Sequence, residues 1–149
     1  MIILLYGQPG SGKTTLGKML AENLNTPHHL DGDEFRSLMT PESFGKEGRL
    51  ANLTKANAVA TWLKHSGAEW VIMSFVHPYV LKRQELQRLN KGNVIEILLE
   101  SSRTLRREFY ARDFEIGNPD GRLMTNGSKA ESFKMLRNRI YQDARLTRI

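Results

Sequence analysis

The chain has 149 residues, 40% hydrophobic and 26% charged, with a formal net charge of +6 at pH 7. This length and balance predict one folded domain over residues 1–149 with a single substantial core. No apolar run approaches the about 18 residues that a membrane span needs, and no basic region precedes the apolar start, so neither a membrane helix nor a signal peptide is expected. Cysteine is absent, which excludes disulfides and agrees with a cytoplasmic location.

The basic residues concentrate in two clusters. They are Arg103, Arg106, Arg107 and Arg112, and then Arg137, Arg139, Arg145 and Arg148. The first cluster suits the phosphates of a small anionic ligand, whereas the second is typical of a solvated helix face and tail. No recognised nucleic-acid module accompanies them, so the favoured partner is a small-molecule nucleotide rather than a nucleic acid. A homodimer is left open.

The first predicted element is a buried strand over residues 1–6, an apolar run too short for a helix. The next eight residues, 7–14, match G-x-x-x-x-G-K-[ST], the phosphate-binding loop or P-loop. Its glycines let backbone N–H groups point at phosphate oxygens, Lys13 reaches the β- and γ-phosphates, and the Thr14 hydroxyl can ligate Mg²⁺. A helix with apolar residues on one face follows, as this motif requires. The predicted ATP-binding residues are Gly7, Gln8, Pro9, Gly10, Ser11, Gly12, Lys13, Thr14 and Thr15.

A second short strand at residues 28–30 brings Asp31 and Asp33 to its carboxyl end, where open α/β sheets bind ligands. With Arg36 three residues beyond, the two carboxylates form a candidate metal-and-base constellation. Capping of a helix N-terminus is the structural alternative for either aspartate, but the position one helix after the P-loop favours function. No separate strand of the usual metal-binding kind is visible, so Asp33 is the predicted base and, with Thr14, the predicted Mg²⁺ site.

The remaining elements continue the alternation of strands and helices. We predict a loop over 37–49, helices over about 50–67, 79–90 and 103–112, strands at 70–75, 94–99 and 122–125, and a last helix after the capping box Ser128-x-x-Glu131. Leu81, Leu86 and Leu89 are the expected inner residues of the helix at 79–90, while Glu96 makes a central place for its strand less certain. The alternation predicts an α/β fold of three layers, with about five parallel strands flanked by helices.

Beyond the P-loop, three stretches resemble the adenylylsulfate (APS) kinases. They are Asp31-Gly32-Asp33-Glu34-Phe35-Arg36, then Phe44 with Arg49-Leu50-Ala51-Asn52, and Ser74-Phe75-Val76-His77-Pro78-Tyr79 followed by Arg83. Thr125-Asn126 is similar to a family element near the last strand. The resemblance covers most of residues 1–90 and, more loosely, the rest. It implies transfer of the γ-phosphoryl group of ATP to the 3′-hydroxyl of adenosine 5′-phosphosulfate.

The resemblance also implies roles for individual residues. Asp31 and Asp33 would be catalytic, with Asp33 as base, beside Lys13, which the P-loop motif predicts, and Arg106, a candidate by its position in the lid. The expected substrate-binding residues are Asp33, Arg36, Phe44, Arg49, Asn52, Ser74, Phe75 and Val76. Arg36, Arg49 and Asn52 would grip the sulfate-phosphate end, and Phe44 would lie against the adenine.

Three departures from the family keep alternatives open. His77 stands where the family has serine, Gly45 follows Phe44 in place of serine, and a shorter lid segment at about residues 103–121 replaces the family's long lid. In it Arg106, Arg107 and Phe114 are lid candidates by position. The alternatives are a P-loop kinase of another hydroxyl acceptor (a nucleoside or nucleotide, a sugar or a hydroxymethylated base) and a non-catalytic nucleotide-binding protein.

Overall fold

The computed structural model describes residues 1–39, 45–103 and 106–146. The strands in these ranges are β1 (Ile2–Tyr6), β2 (His29–Asp31), β3 (Val71–Phe75), β4 (Val94–Glu100) and β5 (Gly121–Met124). The helices are α1 (Lys13–Asn23), α2 (Gly32–Leu38), α3 (Lys46–His65), α4 (Val80–Leu89) and α5 (Lys129–Tyr141), with a short 3₁₀ turn at Arg107–Phe109. None of the helices in the described ranges combines the length and apolar character needed to cross a bilayer.

The five strands form one parallel sheet in the order β2-β3-β1-β4-β5. Strand β1 is central, since Ile2 lies opposite Val71 of β3 on one side and Val94 of β4 on the other. All carboxyl ends of the strands therefore face the same edge, and the P-loop leaves the middle of that edge. The predicted α/β fold, with a five-stranded parallel sheet flanked by helices, is confirmed.

Alternate residues of β1 point into two separate hydrophobic cores, which is why the whole strand is apolar. Ile2, Leu4 and Tyr6 pack towards the layer of α2, α3 and α4, and Ile3 and Leu5 pack towards the layer of α1 and α5. The helices contribute Phe35, Leu53, Ala56 and Leu86 to the first core, and Leu16, Leu20, Leu136 and Ile140 to the second. Three layers result, with the sheet in the middle.

Two helical segments lie where the sequence predicted a loop or no helix. Helix α3 begins at Lys46 rather than near residue 50, because its first turn is exposed and has no apolar spacing to mark it. Helix α2 begins directly after β2, with Asp31 as its N-cap. Predicted residue Phe44 lies outside the described residues.

The inner face of α4 differs from the prediction. Leu86 is buried as expected, but the side chains of Leu81 and Leu89 are 70% and 41% exposed. Arg83 takes the inner position, with 2% exposure. Its guanidinium lies over the ring of Tyr6 at 4.3 Å and donates hydrogen bonds to main-chain carbonyls beyond its own helix, so a buried cation is compensated there.

A second group of charges joins the sheet to the C-terminal region. Glu96 is buried in β4, an interior strand, so the doubt that it raised about that position was wrong. It accepts a hydrogen bond from Gln87, and its backbone N–H donates to Asp120.

Asp120 in turn pairs with Arg145 at 3.0 Å. Arg145 and Arg139 both pair with Asp143. Arg139 and Arg145 therefore connect the C-terminal end of α5 to the start of β5 rather than forming a purely solvated face. Arg148 lies outside the described residues.

Candidate active site

The P-loop leaves β1 at Gly7 and wraps over the N-terminus of α1. Gly10 and Gly12 have φ values of 85° and 93°, the left-handed region in which glycine is favoured. Gly7 approaches the carbonyl of Leu99 so closely that a Cβ atom would overlap the carbonyl oxygen. The backbone therefore has the positive φ angles for which the motif needs glycine. Binding of ATP by residues 7–15 remains a prediction.

Lys13 lies at the first position of α1 with its side chain almost fully buried. Its Nζ donates to the carbonyl oxygen of Gln8 at 2.8 Å and lies 3.4 Å from Ser11 Oγ. Burial lowers the pKa of Lys13 to about 8, against the smaller raising effect of Asp33. The amine is thus poorly solvated inside the loop, and an anion in the loop would stabilise its charged form.

Asp31 and Asp33 occupy different environments although both follow β2. Asp31 caps α2: its Oδ1 accepts hydrogen bonds from the backbone N–H groups of Asp33 and Glu34 at 3.1 and 3.3 Å. Its Oδ2 accepts from the Thr14 hydroxyl at 2.5 Å. Asp31 is thus the N-cap of α2, the structural alternative for this residue, and it also ties α2 to the P-loop. Its catalytic role remains a prediction.

The carboxylate of Asp33 is exposed and pairs with Arg106 of the lid segment at 3.6 Å. No group of three or more histidine, cysteine, aspartate or glutamate side chains that could enclose a metal occurs among the described residues. Mg²⁺ does not need one, because it usually takes one or two protein ligands and completes its shell with phosphate oxygens and water. The Thr14 hydroxyl and a neighbouring carboxylate fit that pattern.

A cavity of about 190 Å³ opens between the P-loop, α2, α3 and the lid segment; we call it the acceptor cavity. It brings together most of the predicted catalytic and substrate-binding side chains. Among the residues that line it are Lys13, Thr14, Asp31, Asp33, Arg36, Arg49, Asn52, Ser74, Phe75, Val76 and Arg106. Segments separated by more than ninety positions in the sequence thus meet at one edge of the sheet.

Not every predicted side chain is available to a ligand in the same way. The Ser74 hydroxyl donates to the carbonyl of Lys13 at 2.8 Å and hydrogen-bonds His29, which assigns it to holding α1 on the sheet. Arg49 pairs with Asp113 of the lid segment at 3.6 Å. Arg36 makes no ion pair with any residue that the structure describes.

The predicted helix over 103–112 is wrong. Within the described part of this stretch only Arg107–Phe109 forms a 3₁₀ turn, and Arg106 has φ 59°, which a helix does not allow. The N–H and the carbonyl of Ala111 bond to the side chain of Gln8, so they are not used in a helix.

Of the three lid candidates, only Arg106 lines the acceptor cavity. Arg107 is exposed on the 3₁₀ turn. The Phe114 ring stacks on Tyr6 with centroids 6.1 Å apart, at the edge of the core. Phe109, which the sequence did not single out, is 62% exposed and lines the cavity beside Arg106. An aromatic residue within the basic lid segment was the sequence signal that could have found it.

His77, which lines the cavity, and Arg83, which does not, form a buried support whose role the sequence did not reveal. His77 has φ 46° and its Nε2 lies 3.0 Å from Asn57 Oδ1. Burial, followed by the charge of Arg83, lowers the pKa of His77 to about 3, so the ring is neutral at physiological pH. Arg83 donates to the carbonyl of His77 at 2.5 Å. Neither role could be identified from the spacing of apolar residues.

A second cavity, of about 360 Å³, lies on the other side of the P-loop. Its lining contains Ser11, Gly12, Thr15, Leu16, Arg103, Thr125, Gly127, Ser128, Lys129 and Ser132. Thr125 donates to the carbonyl of Ser11 at 2.7 Å, and Arg103 donates to the carbonyl of Thr125 at 2.5 Å. The start of α5 was predicted from its capping box, but its approach to the P-loop follows from the topology.

The P-loop on the central strand of a β2-β3-β1-β4-β5 sheet, with a cavity on each side of it, defines a protein of the P-loop kinase class. The adenylylsulphate kinase family model matches residues 1–114. The chain belongs to that family, and the resemblance inferred from the sequence is confirmed.

Solved structures agree with this assignment at the level of the fold. The Mycobacterium tuberculosis APS kinase CysC in complex with AMPPNP and APS superposes with a TM-score of 0.76 at 20% identity, covering 95% of this chain and 97% of that one. A gluconokinase from Sinorhizobium meliloti 1021 gives a TM-score of 0.67 at 18% identity, covering 98% and 91%.

The match to curated sequences is shorter. An adenylate kinase from Rickettsia africae is 46% identical over 39 residues, which is 26% of this chain and 18% of the relative. The match thus spans about a fifth of that relative's length. The activity and substrates of the whole protein are therefore a matter of proposal.

Proposed function

We propose that this protein is an ATP-dependent kinase that transfers the γ-phosphoryl group to the 3′-hydroxyl of adenosine 5′-phosphosulfate, with Mg²⁺ as cofactor. The observation behind the proposal is the acceptor cavity. It places Arg36, Arg49 and Asn52, the residues that match the family's substrate segment, on the same side of the P-loop as Asp33 and Lys13.

The proposed reaction is a direct displacement. The acceptor oxygen bonds to the γ-phosphorus, the bond from that phosphorus to the β–γ bridging oxygen breaks, and ADP leaves with the electron pair. Asp33 takes the proton of the hydroxyl. Arg106, which lies beside Asp33, stabilises the negative charge of the transferring phosphoryl group from the lid side. Lys13 stabilises the same charge from the P-loop side.

The P-loop contributes its backbone N–H groups and the Thr14 hydroxyl. Bound Mg²⁺ would be held by Thr14 and Asp33, and it would neutralise charge on the β- and γ-phosphates. Asp31, hydrogen-bonded to Thr14 and capping α2, positions both of these groups. A cavity with three arginines and a lysine in its wall is suited to a substrate with several negative charges.

A second candidate is a P-loop kinase of another hydroxyl acceptor. One observation favours it: Phe114 is stacked on Tyr6 and so offers no face to a purine in the cavity. Phe109 is then the aromatic side chain of the lid segment that lines the acceptor cavity, and this lid is shorter than that of the family.

Calorimetry and an acceptor panel separate the two candidates. We expect adenosine 5′-phosphosulfate to bind in the presence of ADP, and Arg49→Ala to weaken it by about 2 kcal/mol or more, as the loss of a charge-assisted contact should. Lys55→Ala removes an exposed cation from the same helix and is the matched control. No binding at millimolar ligand, together with ATP turnover on a sugar or nucleoside, would establish the second candidate instead.

A further inference from the structure

The side chain of Gln8, an unspecified position of the P-loop motif, is directed at the lid segment. Its Nε2 donates to the carbonyl oxygen of Ala111 at 2.9 Å, and the Ala111 N–H donates to its Oε1 at 2.9 Å. Both ends of the amide are thus used on one residue of the backbone, 103 positions along the chain. The pairing imitates one rung of a β-ladder. It is therefore a specific contact rather than an incidental one.

Ala111 is buried and lines the acceptor cavity. Arg106 and Phe109, which precede it, line the same cavity. The stretch that follows is fixed independently. The hydrogen bond from the Glu115 N–H to the carbonyl of Pro78 attaches it to the connection between β3 and α4. Residues 106–111 are therefore held at one end by the exposed ion pair of Arg106 with Asp33 and at the other, buried end by the contact with Gln8.

The backbone of Gln8 has a different partner. Its carbonyl oxygen accepts the hydrogen bond from Lys13 Nζ at 2.8 Å. One residue thus contacts the phosphate-binding lysine through its main chain and the wall of the acceptor cavity through its side chain. Nothing in the phosphate-binding pattern requires glutamine at this position, since the motif leaves it open.

We propose that Gln8 is a positioning residue that fixes the lid wall relative to the γ-phosphate, so that the acceptor and not water meets the transferring group. This inference rests on the proposed kinase function. If the wall moves, the acceptor hydroxyl is no longer aligned with the γ-phosphorus, and water can enter and react with the phosphoryl group instead. Lys13 and the P-loop backbone bind the triphosphate without help from the side-chain amide of Gln8. This side chain therefore affects how much of the ATP is used for transfer to the acceptor rather than for hydrolysis, and it does not affect the affinity for ATP.

The test compares Gln8→Ala with Gln84→Ala, an exposed glutamine of α4. The first readout is amide hydrogen exchange of residues 106–112 in the protein without nucleotide. Loss of two hydrogen bonds predicts exchange at Ala111 faster by roughly tenfold or more, with no change in Gln84→Ala. The second readout is the ratio of phosphoryl transfer to ATP hydrolysis. We expect Gln8→Ala to lower this ratio by about tenfold while KM for ATP changes by less than about threefold.

Gln8→Glu adds a readout that simple loss of packing cannot imitate. At neutral pH the introduced carboxylate can still accept from the Ala111 N–H but cannot donate to the Ala111 carbonyl, whose oxygen it repels. Exchange at Ala111 should therefore rise above the wild-type rate, by less than in the alanine variant. Once protonated, the carboxyl can both donate and accept, and protection returns as the pH falls, after correction for the intrinsic exchange rate.

The outcomes separate the two proposals. If wild type transfers phosphoryl groups and Gln8→Ala keeps both the exchange rate and the transfer-to-hydrolysis ratio, Gln8 has no positioning role. If exchange rises but transfer and hydrolysis fall in parallel, the contact is structural only and the inference is again wrong. Absence of transfer by wild type with every acceptor would overturn the kinase function itself, and the coupling role with it.

Discussion

Residues 7–14 and residues 106–116 both border the acceptor cavity, but different forces hold them in place. The P-loop is bounded by the fully buried strand β1 and by α1, and its shape depends on backbone conformation at glycines. The lid segment has no long helix or strand in its described part before β5, and side chains from other segments hold it: Gln8, Arg49, Asp33 and Arg83. The phosphate side is built locally, and the acceptor side is built from tertiary contacts.

This difference explains how much the sequence could predict. The P-loop and the individual strands and helices follow from short patterns in which neighbours in sequence are neighbours in space, and the family follows from several such patterns in order. The environments of Arg49 and Asp33 do not, because each is paired with a residue at least sixty positions away. The sequence was enough to name both residues as substrate-binding candidates. It could not show that charged residues of the lid segment are already paired with them.

The errors have the same origin. Residues 103–112 are basic and free of proline, so a helix was a reasonable prediction, but Ala111 has a stronger set of partners in the Gln8 amide. Leu81 and Leu89 satisfied the expected spacing, yet Arg83 is buried because carbonyls of residues 77, 115 and 116 surround its guanidinium. A buried arginine contradicts the simple hydrophobic pattern, and only the tertiary structure shows what compensates it.

The largest effect is expected on the phosphate side. Lys13→Ala should reduce phosphoryl transfer by roughly 10³-fold or more, because Lys13 is directed into the P-loop and would contact phosphate rather than the core. Circular dichroism should show an intact fold, and a transfer assay measures the loss. Lys18→Ala, an exposed lysine on the same helix, is the control. Activity within about tenfold of wild type, a barrier change of only ~1.4 kcal/mol, would rule out the phosphate-contact role.

The next effect concerns the support of the lid. Arg83→Ala should lower the free energy of unfolding by about 3–5 kcal/mol, since it leaves the partner groups of a buried cation without their donor. Urea unfolding followed by circular dichroism measures it. Arg88→Ala changes an exposed arginine of the same helix and should stay within about 0.5 kcal/mol of wild type. A similar small change for Arg83→Ala would mean that the lid is held by other contacts.

The pH dependence of nucleotide binding tests the environment of Lys13. Burial lowers the pKa of its amine to about 8, so the free protein loses this charge above that pH, whereas a bound triphosphate favours the charged form. Affinity should therefore fall as the pH rises beyond about 8, by roughly up to tenfold per pH unit. Calorimetry at pH 8.5 in two buffers of different ionisation enthalpy should show proton uptake. An uptake that persists in Lys13→Ala would assign the proton to another group.

The smallest effect separates the two aspartates. Asp31→Ala should cost about 1 kcal/mol of stability because it removes the N-cap of α2, in addition to the Thr14 hydrogen bond. Asp33→Ala, at an exposed carboxylate, should leave stability within about 0.5 kcal/mol and affect turnover instead. Thermal unfolding of both variants measures the difference. Equal losses of stability would show that the cap does not distinguish them.

The attachment of residues 114–116 has a consequence for protein engineering. The Tyr6 hydroxyl donates to the carbonyl of Ile116 at 2.7 Å, and the Tyr6 ring stacks on Phe114, so the residue immediately before the P-loop also anchors the end of the lid. A loop taken from another kinase of this fold should therefore be joined before Asp113, leaving the anchor native. Chimeras cut after Ile116 would exchange part of the core together with the loop, and they would lose stability before any new acceptor specificity could be measured.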